Sequence, residues 1–243
     1  MSLSFVRTNS GNLTVYNEGE VIEKTIVSLE KSVTYPHELL IIYDMDSDST
    51  LPPVRKLQKK FSNVKLVKNI FGNGALNALK TGLKSAKGEG VCVMMADLTD
   101  DPKILNGMYR KYLEGFDVVA ASRYMAGGRQ LGGPLIKRIL TQTAGLSLHF
   151  LVGLPTHDAT NSFRLYSKKF LDSVKIESDG GFELAIELTV KAHFWGYKVG
   201  EVPTTWRYLA KESRFDMRKW LPKYLKWYFW AVNRRLHQFL HSF

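Results

Sequence analysis

The chain has 243 residues, 44% hydrophobic and 23% charged, with 34 Lys+Arg against 23 Asp+Glu and a formal net charge of +11. That composition belongs to a folded globular protein and excludes collagen-like, disordered and acidic-tail classes, while the length suits one large α/β domain with or without a tail. The single cysteine, Cys92, lies in the apolar run Val91 to Met95, which excludes an intramolecular disulfide framework and a cysteine-based zinc site and reads as an inert buried thiol.

In chain order, the polar stretch Arg7 to Asn12 interrupts what should be the first strand. Asn17 then caps a helix whose apolar face is Ile22, Ile26, Leu29 and Val33. Glu38 to Tyr43 reads as a buried strand, Pro52-Pro53 open a helix through Leu57 and Phe61, and Val64 to Val67 is a short strand. Gly74 to Ala86 is helical with Ala75, Leu79 and Leu83 on one face. Val91 to Ala96 is a strand, Pro102 opens a helix, and Asp117 to Ala121 is another strand. Strands alternating with helices predict parallel βαβ units with right-handed crossovers. The expected fold is therefore α/β, a Rossmann-like, doubly wound, mostly parallel sheet.

Beyond this rhythm, Gly127-Gly128 and Gly132-Gly133-Pro134 bracket an expected mobile loop, and a helix runs from Leu135 to Val152. A strand (Ser162 to Tyr166), a helix (Gly181 to Trp195) and a strand (Lys198 to Pro203) follow. No linker splits the chain, so residues 1–218 are expected to form one domain and residues 219–243 a basic, aromatic, amphipathic helix. No stretch approaches the roughly 18 apolar residues of a membrane span. The N-terminus carries no basic-then-apolar signal pattern, so a cytoplasmic location is expected.

The excess charge is concentrated at the end. From Arg207 to Phe243 there are nine Lys/Arg and two acids, interleaved with Trp220, Tyr224, Trp227, Tyr228, Phe229 and Trp230. A nucleic-acid partner is disfavoured because no reading motif accompanies the charge. An anionic membrane surface fits better. Pro222 suits a first helical turn, and Leu221, Leu225, Tyr228, Val232, Leu236, Phe239 and Phe243 fall on one stripe. Lys223, Lys226 and Arg234 flank that stripe, with Trp227 and Trp230 expected near its polar edge. The stripe either lies in a membrane interface, peripheral at the cytoplasmic face, or packs onto the protein's own sheet.

Ligands of open parallel sheets bind beyond the carboxyl ends of the strands. Three of the expected strands end in charge: one in Asp44, Asp46 and Asp48, one in Asp97, Asp100 and Asp101, one in Ser122 and Arg123. Acids beside an arginine are reconciled by a hard cation with a diphosphate, since carboxylates suit Mg²⁺ or Mn²⁺ and arginine suits phosphate. The alternative is that these acids cap helices and tighten turns, above all Asp48, Asp100 and Asp101. Gly72-Asn73-Gly74 fails the dinucleotide fingerprint, which disfavours an oxidoreductase, and either shapes a loop near a nucleotide or is a plain turn before a helix.

Several short motifs then occur in order: Tyr16-Asn17-Glu18, the acidic turn at Asp44 to Thr50, Gly72-x-Gly74-Ala75 with Gly82, and Ala96 to Pro102 (ADLTDDP). Ser122-Arg123-Tyr124, Pro134 to Arg138 (PLIKR), Asp158 to Arg164 (DATNSFR) and Glu201-Val202-Pro203 continue the series. Together they resemble the family 2 glycosyltransferases of the dolichol- or polyprenyl-phosphate mannose/glucose synthase type, over about residues 13 to 214. The resemblance implies a GT-A fold that takes a nucleotide-activated hexose, as a GDP- or UDP-sugar, and inverts its anomeric centre. It implies donor binding by Val15, Tyr16, Asn17, Glu18, Asp44, Asp46, Gly74, Met95, Ala96, Asp97 and Arg207, with a divalent cation, Mg²⁺ or Mn²⁺, on Asp97. It implies a lipid phosphate met by Arg123, Lys137, Arg138 and Thr141, with Asp97 and Arg123 as the catalytic pair. The sequence departs from the family at Met95, which stands where the first Asp of the DxD motif is usual, and at Thr99 and Thr14. The expected hairpin after Pro203 is one residue short and offers Arg207 for the family's hairpin arginine.

A phosphate acceptor agrees with the chemistry. A sugar hydroxyl needs a general base, whereas a phosphate oxygen is already anionic and needs only placement. Arg123 is expected to meet that phosphate with two parallel bonds. The alternatives are transfer to a soluble hydroxyl acceptor and a non-catalytic sugar-nucleotide binder at the membrane surface.

Overall fold

The computed structural model describes residues 3–8, 19–94, 99–208 and 217–241. Its strands are β1 (Leu3–Thr8), β2 (His37–Tyr43), β3 (Val64–Lys68), β4 (Gly90–Met94), β5 (Val118–Ser122), β6 (Arg129–Leu131), β7 (Arg164–Ser167), β8 (Val199–Pro203) and β9 (Thr205–Arg207). The helices are α1 (Gly19–Ser32), α2 (Leu51–Gln58), α3 (Ala75–Ser85), α4 (Leu105–Leu113), α5 (Leu135–Val152), α6 (Lys168–Ser173), α7 (Leu184–Phe194) and α8 (Met217–Leu240). Pro102–Ile104 forms a 3₁₀ turn ahead of α4, where the sequence suggested that the helix itself begins.

Alternation along each strand sorts the side chains onto two faces. Leu39, Ile41, Cys92 and Met94 join α1, α2 and α4 in one core, while Leu40, Ile42, Val91 and Val93 join α3, α6 and α7 in the other. Seven strands make one sheet in the order β3-β2-β1-β4-β7-β5-β8. All its pairings are parallel except those of β7, which runs antiparallel to both β4 and β5. Of the polar stretch expected to interrupt the first strand, Arg7 and Thr8 belong to β1, which is central and paired with β2 and β4, while residues 9–12 lie outside the described residues.

Two other expectations are corrected. The glycine-bracketed stretch is not a mobile loop, because its centre is β6, which pairs in parallel with β9. Nor is there a hairpin after Pro203: Thr204 alone separates β8 from β9, and β9 turns away to pair with β6. Gly128 lets the connection into β6 pass close over the end of β5, since a Cβ there would lie 2.5 Å from the Ser122 carbonyl oxygen.

A third layer lies outside the sheet. α7 is buried on all sides; Leu184 and Leu188 face the sheet, while Ile186 and Val190 join Leu148 and Val152 of α5 and Trp227 and Ala231 of α8. The phase of α8 differs from the expected one. Trp227 is 2% exposed and faces the protein rather than a polar edge, and Pro222 sits inside the helix rather than in its first turn. Leu221, Leu225, Leu236 and Phe239 of the expected stripe are exposed, with Tyr228 and Val232 half-buried at its flank, so the stripe does not pack on the sheet. Among the described residues no helix is long and apolar enough to cross a membrane.

Candidate active site

The carboxyl ends of β2, β3, β4 and β5 meet along one rim, as the strand order requires. On the β2 side Asp44 organises a loop. Its Oδ1 accepts from Asn69 Nδ2 at 2.8 Å, and its Oδ2 accepts from the Gly74 backbone N–H at 3.0 Å. Asn69 in turn accepts the Thr81 hydroxyl and the Phe71 N–H and donates to the Gly72 carbonyl. Gly74 has φ +117°, a conformation that a side chain would strain, and hands the chain directly to α3. Asp46 is exposed and paired with Lys68, also exposed, so this pair contributes little to stability. Asp48 accepts from the Thr50 N–H, and Asp101 from the Lys103 N–H, so these two tighten turns. Asp100 is buried.

On the β5 side the centre is an ion pair. Arg123 Nε donates to Asp158 Oδ2 at 2.7 Å, and Nη2 donates to Oδ1 at 3.0 Å and to Thr160 Oγ1 at 2.9 Å. The fork expected for a phosphate is thus held by Asp158, and Nη1 makes no hydrogen bond to a described residue. Burial would lower the Arg123 pKa, but the Asp158 charge prevails and raises it. Burial would likewise raise the Asp158 pKa, and Arg123 holds it below the usual carboxylate range. The backbone around Asp158 explains the DATNSFR motif. Oδ1 also accepts the Thr160 and Asn161 N–H groups, Asn161 ties to the Ala121 carbonyl of β5, and buried Arg164 donates to the Asn161 and Asp158 carbonyls. Asp158 and Thr160 lie in a motif the sequence singled out, yet no role could be read for them there.

The first turns of α5 complete this side. Lys137 is half-buried, and burial together with the Arg123 charge lowers its pKa. Thr141 Oγ1 is 2.7 Å from the Tyr124 hydroxyl, which also donates to Gln130. Arg138 is exposed. Trp206 of β9, a residue the sequence reading passed over, places its ring 6.0 Å from the Arg123 guanidinium. Arg207 is exposed, and its backbone N–H donates to the Thr99 carbonyl. Leu135, Ile136, Ile139 and Leu140, on the same first turns of α5, are all exposed.

Val15, Tyr16, Asn17 and Glu18, together with Met95, Ala96 and Asp97, lie outside the described residues. Among the described residues no three His, Cys, Asp or Glu side chains are grouped to hold a metal ion. The Asp44 oxygens accept from two neutral donors, and Asp46 is paired with Lys68.

Residues 13–175 match the family model described as glycosyl transferase family 2. The chain belongs to that family. It is similar to a dolichol-phosphate mannosyltransferase of Pyrococcus furiosus, 25% identical over 87% of this chain and 62% of the relative. It is also similar to the glycosyltransferase YkcC of Bacillus subtilis, 30% identical over 66% of this chain and 50% of the relative. The chain therefore spans only half to three-fifths of the length of these family members. Among solved structures, the UDP complex of glucosyl-3-phosphoglycerate synthase from Mycobacterium tuberculosis superposes with a TM-score of 0.68 at 17% identity, covering 96% of this chain and 80% of that one. A complex of the same synthase with Mn²⁺, UDP and its product gives 0.67 at 18% identity, covering 96% and 79%. The fold is thus the GT-A fold expected of the family.

Proposed function

We propose that the chain transfers a hexose from a nucleoside-diphosphate sugar to the phosphate of a polyprenyl-type lipid at an anionic membrane surface, with inversion. The observation that carries this reading is that Lys137, close enough to feel the Arg123 charge, shares the first turns of α5 with the exposed apolar residues Leu135, Ile136, Ile139 and Leu140. A phosphate joined to a hydrocarbon chain needs both surfaces at once. Similarity to the dolichol-phosphate mannosyltransferase over most of this chain supports the same acceptor class.

The chemistry follows from charge placement. An acceptor phosphate oxygen forms the new bond to the anomeric carbon as the bond from that carbon to the nucleoside diphosphate breaks, and no proton need be removed from the nucleophile. Lys137 gains from an anion, because a negative charge offsets the burial and the Arg123 repulsion that together lower its pKa. Asp158 holds the Arg123 guanidinium in one orientation, which keeps Nη1 in place without reorganisation. On the donor side Asp44 fixes the Gly74 loop beside the nucleotide. A divalent cation held by Asp97 would neutralise the departing diphosphate.

The test is direct. Protein incubated with GDP- and UDP-sugars, Mg²⁺ or Mn²⁺, and polyprenyl phosphate should yield a new glycolipid, and Asp97→Asn or excess chelator should abolish it. Transfer confined to a soluble acceptor would reassign the acceptor. Normal binding of nucleotide sugar with transfer to no acceptor would make the chain a binder.

A further inference from the structure

The stretch between α6 and α7 is held in an unusual way. Five consecutive backbone N–H groups, from Glu177 to Gly181, donate to two buried carboxylates, of Glu183 just before α7 and of Glu187 within it. Glu187 takes the first two and Glu183 the other three, and Lys191 neutralises Glu187 at 2.6 Å. A loop whose amides are all satisfied from beneath moves as one body rather than residue by residue.

This body is pressed between two elements. On one side Gly181, at φ +122°, meets the first turn of α3 backbone to backbone: a Cβ there would lie 3.1 Å from the Leu76 nitrogen and 3.5 Å from Ala75 Cβ. That turn follows Gly74, the residue whose N–H is held by Asp44. On the other side α8 meets the loop at Asp179, Gly180 and Phe182. A Cβ on Gly180 would lie 2.2 Å from the Trp220 ring, and the Phe182 and Trp220 rings meet edge to face at 4.7 Å. The Tyr224 hydroxyl donates to the Phe182 carbonyl at 2.8 Å, and Lys223 pairs with Asp179 at 2.9 Å.

We propose that Trp220 and Tyr224 of α8 are positioning residues for the donor crevice, holding the loop of residues 178–182 against the first turn of α3. They touch neither donor nor acceptor; they act through Gly181 on the turn that presents Gly74. The inference rests on the donor reading above, in which Asp44 and Gly74 border the nucleotide. It gives α8 a role in donor binding that its sequence, read as a surface-binding helix, does not suggest. Misplacement of a binding wall by a fraction of an ångström to one ångström is enough to cost on the order of 10-fold or more.

Calorimetric titration of the full chain with UDP and with GDP, each with Mn²⁺, tests this. Trp220→Ala should weaken the better nucleotide at least about 10-fold, and Trp220→Phe should restore most of it. Tyr224→Phe, which loses one hydroxyl, should weaken it about 2- to 10-fold without unfolding the protein. Trp230→Ala is the control for lost stability. Its ring packs on Phe194 and Trp227, away from the loop, and its nucleotide affinity should match wild type while its melting temperature falls. If Trp220→Ala does not fold, Tyr224→Phe decides. Equal affinities in wild type, Trp220→Ala and Tyr224→Phe would overturn the inference and leave the donor reading intact. A wild type that binds neither nucleotide would overturn the donor reading, and the inference with it.

Discussion

Arg123 is 9% exposed at its side chain, and a guanidinium so buried is tolerable only because Asp158 answers its charge with two hydrogen bonds. Asp158→Asn should therefore cost about 3–5 kcal/mol at neutral pH, since it leaves a buried cation without its partner. The pH dependence has a definite sign. Arg123 lowers the Asp158 pKa in the folded protein, so the pair's contribution is complete above the unfolded carboxylate value of about 3.9 and is lost as pH falls through the folded value. Denaturant titrations of wild type and variant should differ at pH 7 and converge in strong acid. A gap that stays constant with pH would mean the pair is not its source. If Arg123 meets the acceptor phosphate as proposed, Arg123→Ala should lower transfer to lipid phosphate much more than nucleotide affinity. Equal losses in the two measurements would move Arg123 to the donor site.

Elements pass these residue effects on through close contacts. A glycine inside a helix is ordinarily a weakness, and replacing it by alanine gains about 0.5–1 kcal/mol. Gly145 of α5 should behave in the opposite way. A Cβ there would lie 2.3 Å from the His157 carbonyl oxygen, which is backbone and cannot turn aside. Gly145→Ala should cost about 1–3 kcal/mol and, by pushing on the residue before Asp158, lower transfer as well. Unchanged melting with unchanged turnover would show that the loop yields freely. In α8 the two faces separate stability from surface binding. Trp227→Ala should cost about 3–5 kcal/mol because the ring is core, whereas Phe229→Ser, at an exposed position, should stay within about 0.5 kcal/mol and weaken vesicle binding. Vesicle flotation and chemical denaturation of both variants would check the division.

For the whole molecule, the net charge of +11 and the exposed apolar faces of α5 and α8 predict attraction to anionic lipid. Each Lys or Arg near such a leaflet contributes about 1 kcal/mol, and the contribution is screened as the Debye length falls from about 10 Å at 0.1 M salt to about 3 Å at 1 M. Flotation with phosphatidylserine vesicles should therefore decline with salt, and neutral vesicles should bind less. Binding indifferent to both salt and lipid charge would sink the electrostatic part of the surface reading.

The periodic parts of the fold were legible in the sequence, because a period of two or of 3.6 residues is a local property of a strand or helix. The helix expected from Leu135 to Val152 is α5 with the same ends. The family was legible too, since its motifs sit at strand ends, where the chain leaves a regular element and chemistry constrains the residue types. Whatever depends on residues distant in sequence was decided only by the tertiary structure. That Ser162 to Tyr166 would enter the sheet antiparallel, that the stretch between Gly127 and Pro134 would contribute β6 to β9, and that Trp227 would turn inward depend on partners tens of residues away, and no local pattern records them. The same holds within the site. Arg123 alone looks like a hand for a phosphate; folded, it is committed to a carboxylate 35 residues away, because a buried cation takes the nearest anion that the fold supplies.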